Sequence, residues 1–150
     1  MASSRLAKAL FEPKNIALIG ASDDKGRNNS RPQQFLEKHG YRGKIYPINP
    51  RRKKVYGVKA YQSVTEVPDR IDHAFIMTGP KAVPAVMRDC AQAKVKVATI
   101  FTADFAESGT DGAKLQAEVV QEAKKGNVRV IGPNCMGIYC MDPPAMISPN

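Results

Sequence analysis

The apolar run Ile16-Ala17-Leu18-Ile19 stops at Gly20 and gives way to Ala21-Ser22-Asp23-Asp24-Lys25-Gly26-Arg27. A continuous apolar run of this kind reads as a strand buried on both faces, which calls for a parallel sheet covered on each side. In an α/β protein, a small-residue turn after such a strand is where phosphate groups meet the start of the next helix. The spacing of Gly20 and Gly26 is not GxGxxG, so the glycines alone are a weak signal, and a plain strand-to-helix connection explains them equally well. Two features strengthen the phosphate reading. The turn is long, and Ser22, Asn28, Asn29 and Ser30 offer hydroxyl, amide and backbone donors beside a helix N-terminus. Arg27 and Arg31 add full positive charges.

Strand and helix signals alternate through the rest of the chain. Residues 1–12 hold a lead-in helix over 5–11, with Leu6, Leu10 and Phe11 at inward spacing and Glu12-Pro13 as its stop. Ser30-Arg31-Pro32-Gln33 has the Ser-to-Gln spacing of a capping box, and a helix follows to about His39. Residues 44–49 read as a strand that Pro47 marks as short or edge. Residues 56–61 read as a loop with some extended character, and 63–67 as one helical turn. Strands are expected at 73–78, 96–102 and 128–131. Helices are expected at 81–93, on the stripe Val83, Val86, Met87, Cys90 and Ala91, and at 111–125, on Leu115, Val119 and Ala123 with Gly126 as stop. The expected fold is α/β: a Rossmann-like doubly wound, mainly parallel sheet of about five strands with helices on both faces, over residues 1–140. Residues 141–150 carry three prolines and no periodicity, and read as a linker or the start of a following domain.

Composition narrows the function classes. At 150 residues the chain can bury one core. No apolar stretch approaches the roughly 20 residues of a membrane span, and Met1-Ala2-Ser3-Ser4-Arg5 lacks a signal peptide's apolar core, so the cytoplasm is the default. Three cysteines and two histidines, none in a CxxC pair, argue against a disulfide framework or a metal site. The formal charge of +9 raises nucleic acid as a partner, but only residues 51–54 form a dense basic run, and no aromatic-rich basic strand accompanies it. One small polyanion fits better.

The end of the second strand narrows that polyanion. NAD-binding domains place a carboxylate there, on the ribose hydroxyls. Here stand Asn49-Pro50-Arg51-Arg52-Lys53-Lys54. Arg and Lys pair with a phosphorylated ribose, which a carboxylate would repel. NADP and coenzyme A both carry such a phosphate. Thr78-Gly79-Pro80 and the segment from Thr102 and Ala103 through Phe105 fall at further carboxyl edges of the sheet. So does Gly132-Pro133-Asn134-Cys135-Met136-Gly137. Ordinary turn chemistry also accounts for Gly79. Cys135 has no histidine near it in sequence, and a lone Cys is more often a small buried hydrophobe than a nucleophile. No catalytic residue is assigned. His39 and His73 read as structural.

In combination and order, these segments resemble the CoA-binding domain of NDP-forming acyl-CoA synthetases, the superfamily of the succinyl-CoA synthetase alpha subunit. The resemblance is carried by residues 13–22, by Gly40-Tyr41-Arg42-Gly43-Lys44-Ile45-Tyr46-Pro47-Ile48-Asn49-Pro50, by Phe105-Ala106-Glu107-Ser108-Gly109 and by the loop at 132–137. It implies CoA binding, with the turn from Gly20, Ala21 and Ser22 through Arg27, Asn29 and Ser30 holding phosphate. Asn49, Pro50, Arg51, Arg52 and Lys53 would lie by the adenosine phosphate. Thr78, Gly79, Thr102, Ala103, Phe105, Asn134 and Cys135 would lie along the adenine or pantetheine path. It also implies an acid–CoA ligase whose phosphorylated histidine and ATP- or GTP-binding site lie in further domains or a partner subunit, so that this chain alone catalyses nothing. A stand-alone CoA-binding regulatory or carrier protein and an NADP- or NAD-binding redox-sensor domain are the alternatives. The chain departs from the family at Asn28-Asn29-Ser30, where glycine is frequent, at Asp104, where a small residue or Gly is common, and at Thr78-Gly79-Pro80, where Val-Pro is usual.

Overall fold

The computed structural model describes residues 4–149; residues 1–3 of the expected lead-in segment and residue 150 lie outside the described residues. In chain order the elements are α1 (Arg5–Phe11), β1 (Asn15–Ile19), α2 (Arg31–Lys38), β2 (Lys44–Ile48), β3 (Lys54–Val55), β4 (Val58–Lys59) and β5 (His73–Ile76). They continue with α3 (Val83–Gln92), β6 (Val97–Ile100), α4 (Thr110–Gly126), β7 (Arg129–Ile131), β8 (Ile138–Met141) and β9 (Pro144–Ile147). Five strands form one parallel sheet in the order β2-β1-β5-β6-β7. The chain steps outward from β1 to β2, then crosses back past β1 to β5. That reversal is the switch point where ligands of open α/β sheets bind, at the carboxyl ends of the strands. Pro47 lies in β2, an edge strand, as its lost N–H requires.

Alternation along each strand divides the core. Ala17, Ile19, Ala74, Ile76, Ala98 and Ile100 face α3 and α4, packing with Val83, Met87, Cys90, Val119 and Ala123. Burial pushes the Cys90 thiol up to about 12, so it stays neutral and apolar. Ile16, Leu18 and Phe75 face the other side, against Leu36 of α2, Val55 and Ile147. At the amino edge, Asp72 ties the strands together. Its carboxylate accepts from the Lys14 and Asn15 N–H groups at 2.8 and 3.2 Å and pairs with Lys96 at 2.5 Å. Burial alone would raise that carboxyl, but Lys96 and the two backbone donors outweigh it and hold it below the usual range.

Three expectations need correction. Residues 141–150 are not an extended linker: β8 and β9 pair as an antiparallel hairpin, Ile147 is fully buried, and β9 packs on α2. The signal missed was the alternation Ala145/Ile147, short and interrupted by prolines. Leu6 and Phe11 are 40% and 46% exposed; α1 turns Ala9 inward instead, where a small side chain lets the helix sit close. The capping box does not form: Ser30 Oγ donates to the Arg27 carbonyl at 2.7 Å, because Asn28–Ser30 is already a 3-10 turn leading into α2.

Two outcomes follow from this packing. Ile147→Ala should destabilise the domain by about 2–4 kcal/mol in urea titration, as for a core residue; an unchanged midpoint would show the hairpin to be an appendage. His73, fully buried and hydrogen-bonded to Thr99 Oγ1 at 2.7 Å, is held down to about 4 by burial. The unfolded imidazole takes a proton near 6.5 while the folded one does not, so stability falls as pH drops from 6.5 toward 4. Between pH 7 and 5 the loss should be about 2 kcal/mol, and His73→Asn should abolish that slope.

Candidate functional site

The site is built around the end of β1. Gly20 takes φ +89°, which only glycine adopts without strain, and its N–H donates to the Ile48 carbonyl at 2.9 Å. A Cβ on Gly20 would sit 3.2 Å from backbone atoms of Met77 and Thr78. The turn that follows closes on itself through Asn29. Asn29 Nδ2 donates to the Gly20 carbonyl at 2.7 Å, and the Ser22 N–H donates to the Asn29 carbonyl at 3.2 Å. Ser22 Oγ accepts from the Asp24 N–H at 3.0 Å, and Asp24 Oδ1 accepts from the Gly26 N–H at 3.1 Å. Polar side chains thus hold the turn. Asn49 at the end of β2 joins the two loops: its Nδ2 donates to the Ala21 carbonyl at 2.8 Å, and its Oδ1 accepts from the Arg51 N–H at 2.9 Å.

These loops enclose a cavity of about 400 Å³ lined by Ser22, Asp24, Arg27, Asn29, Asn49, Arg51 and Arg52. Lys53 is not among them. Its carbonyl accepts from Ala60 N–H at 2.9 Å beside the β3–β4 hairpin, and Lys54 begins β3. Arg31 also points elsewhere, to the Pro149 carbonyl at 3.5 Å. The charges are partly met from within: Arg52 pairs with Asp23, and Arg27 Nε with Asp24 at 3.1 Å. Among the described residues, Arg51 has no ion pair. A second cavity, about 190 Å³ and more apolar, is lined by Ile19, Gly20, Ile48, Pro50, Val64, Thr78 and Val86, with Gln62, Ser63 and Asp89 at its polar end. Gln62, Ser63 and Asp89 carry no sequence signal. Ser63 Oγ meets Asp89 at 2.8 Å only because the fold brings together residues 26 apart. Asn29 Oδ1 and Thr78 Oγ1 are buried without a hydrogen-bond partner. Such atoms cost free energy unless a ligand or water completes them.

The later loops line up along the same edge. Thr102 Oγ1 donates to the Thr78 carbonyl at 2.6 Å, the Asn134 N–H to the Thr102 carbonyl at 3.0 Å, and the Cys135 N–H to the Ile100 carbonyl at 3.1 Å. Ala103 is half-buried and Gly79 exposed there. Phe105 differs from expectation: its side chain is fully buried in the α3–α4 core, because apolar burial outweighs ligand contact for so large a ring. Asp104 adopts φ +70°, which explains why Gly suits this position, and its Oδ1 accepts from Ser108 Oγ at 3.4 Å. Cys135 half-buries its thiol toward the Gly137 carbonyl at 3.8 Å. Both histidines lie at the opposite, amino edge, one closing α2 and one opening β5. Among the described residues no group of three or more His, Cys, Asp or Glu is placed to hold a metal ion, and no helix is long and apolar enough to cross a membrane.

The CoA binding domain family model matches residues 14–141, so the chain belongs to that family. It is 41% identical over 129 residues to acetate–CoA ligase [ADP-forming] II of Archaeoglobus fulgidus, covering 86% of this chain and 19% of that protein. It is 39% identical over 135 residues to the acetate–CoA ligase [ADP-forming] I subunit alpha of Pyrococcus furiosus, covering 87% of this chain and 29% of the subunit. The fold matches the apo dinucleotide-forming acetyl-coenzyme A synthetase 1 of Ca. Korarchaeum cryptofilum with TM-score 0.89 at 36% identity, over 95% of this chain and 31% of that one. The chain therefore corresponds to the CoA-binding domain of ADP-forming acyl-CoA synthetases and spans 19–31% of these proteins' lengths.

Gly20→Ala should force both the φ angle and the contact with Met77 and Thr78. We expect a stability loss of about 1–3 kcal/mol in chemical denaturation and loss of ligand binding at the carboxyl edge. Binding and stability equal to those of the unaltered protein would show that the close approach is not required.

Proposed function

We propose that this domain binds CoA through the two cavities flanking Gly20, on behalf of a ligase that joins a carboxylic acid to CoA. The observation that carries the reading is the convergence of Arg27, Arg51 and Arg52 on one cavity at the switch point, where an NAD site would present a carboxylate. Arg51 and Arg52 lie where the adenosine phosphate would fall, and the turn from Ala21 to Ser30 would take the pyrophosphate. The apolar cavity between Ile48, Pro50, Val64 and Val86 suits the adenine. Two buried, unpartnered atoms fit such a ligand, since Asn29 Oδ1 can accept, and Thr78 Oγ1 donate or accept, at its polar groups. The arm would then run past Gly79 toward Thr102, Ala103, Asn134 and Cys135. Lys53 acts at longer range, and Phe105 contributes backbone only.

CoA supplies the thiol that receives the acyl group. This chain's residues bind and orient it. In this reading the phosphorylated histidine and the ADP- or ATP-binding groups belong to further domains of the same polypeptide or to a partner subunit, as the matched alpha subunit illustrates. The assembled enzyme works in the cytoplasm. The acid is recognised elsewhere, because a CoA site sees only the carrier.

Calorimetric titration with CoA, 3′-dephospho-CoA, NAD and NADP separates this from a redox-sensor reading. CoA should bind best, and loss of the 3′-phosphate should weaken binding about tenfold or more. The double variant Arg51→Ala/Arg52→Ala should erase most of that difference. Binding of NADP without CoA would overturn the reading.

A further inference from the structure

One cation lining the cavity that would receive the ribose phosphate already holds an anion supplied by the chain. Asp23, which does not itself line the cavity, pairs with Arg52, which does, joining the turn after β1 to the turn after β2. The neighbouring carboxylate behaves differently. Asp24 is committed to its own turn: its N–H donates to Ser22 Oγ at 3.0 Å, its Oδ1 accepts from the Gly26 N–H at 3.1 Å, and its Oδ2 holds Arg27 Nε at 3.1 Å. Asp23 makes no such local bond among the described residues; its side-chain partner is Arg52. Both members of the pair are partly open to solvent, at 41% for Arg52 and 37% for Asp23. The carboxylate can therefore release Arg52 without unmaking the turn.

We propose that Asp23 is an internal competitor at the ribose-phosphate position: it holds the Arg52 guanidinium in the free domain and exchanges places with the ligand's ribose phosphate, which lowers the affinity for the phosphorylated ligand. The inference rests on the CoA reading above. A phosphate monoester brings up to two negative charges and three acceptor oxygens, where the carboxylate brings one charge and two. It can therefore displace Asp23 and more than replace what Arg52 gives up. A ligand with an unmodified ribose offers only neutral hydroxyls, which cannot compete with a carboxylate for a guanidinium. It leaves the pair intact and gains nothing from Arg52. The internal pair thus lowers the affinity for phosphorylated ligands by the cost of breaking it, and it also shields Arg52 from adventitious weak anions.

The test is a cycle of titrations with Asp23→Asn, Arg52→Ala and the double variant, each against CoA and 3′-dephospho-CoA, with thermal unfolding as a check that the turn survives. Asp23→Asn should tighten CoA by about three- to fivefold, the range of a partly exposed ion pair, and leave dephospho-CoA almost unchanged. In the Arg52→Ala background, Asp23→Asn should no longer affect CoA. An equal gain for both ligands, or the same gain without Arg52, would show only through-space repulsion and overturn the exchange. No gain, or weaker CoA binding, would overturn it too. If the unaltered domain binds no CoA at all, the functional reading itself fails, a result distinct from any pattern among the variants.

Discussion

The site depends on one close approach, between the Gly20 backbone and the Met77–Thr78 segment at the end of β5. A Cβ would meet that segment at 3.2 Å, tighter than side chains normally tolerate, and the φ of +89° excludes other residues independently. Because β1 and β5 are neighbours at the point where strand order reverses, this contact sets the width of the crevice. On one side of it the chain turns through Ala21–Ser30 to make a polar cavity. On the other, Ile48, Pro50 and Val64 make an apolar one. The same glycine carbonyl anchors Asn29, so the turn's shape follows from the same residue.

The scaffold around that contact is held at the opposite edge. Asp72 fixes the starts of β1 and β6 through Lys14, Asn15 and Lys96, and Asp69 does the same for β2 through Lys44 at 2.6 Å and the Tyr46 hydroxyl. The amino ends of β1, β2 and β6 are thereby tied, and the candidate site lies at the opposite, carboxyl ends. The hairpin β8–β9 completes the scaffold by burying Ile147 beside Leu36, covering a face that two helices alone would leave open.

The sheet was legible because its strands are unbroken apolar runs and its helices carry strong 3.6-residue stripes. Even the edge position of β2 could be read, from Pro47. The hairpin at Ile138–Ile147 was not, because two proline-interrupted four-residue strands leave too little periodicity to detect. At the site, the backbone positions were readable and the side-chain directions were not. Phe105 sits in a loop that sequence places at the ligand edge, yet burial of its ring in the core decides where it points. Lys53 shares a basic run with Arg51 and Arg52, but the turn into β3 carries it away from the cavity. Gln62, Ser63 and Asp89 line the second cavity through contacts between distant segments, which no local pattern encodes.

Charge shows the same limit most clearly. Counted along the chain, residues 51–54 are four cations with no acid beside them. In the fold, Arg27, Arg51 and Arg52 line the cavity together with Asp24, and Asp23 pairs with Arg52 beside it; both acids come from the turn after β1, which also carries Arg27. Three guanidinium groups thus face two carboxylates, leaving one excess positive charge. That is a modest field for attracting a polyanion, and a well-solvated one at this exposure. Under the exchange proposed above, Asp23 keeps Arg52 beside the cavity in the absence of ligand and yields it at a cost to the incoming phosphate.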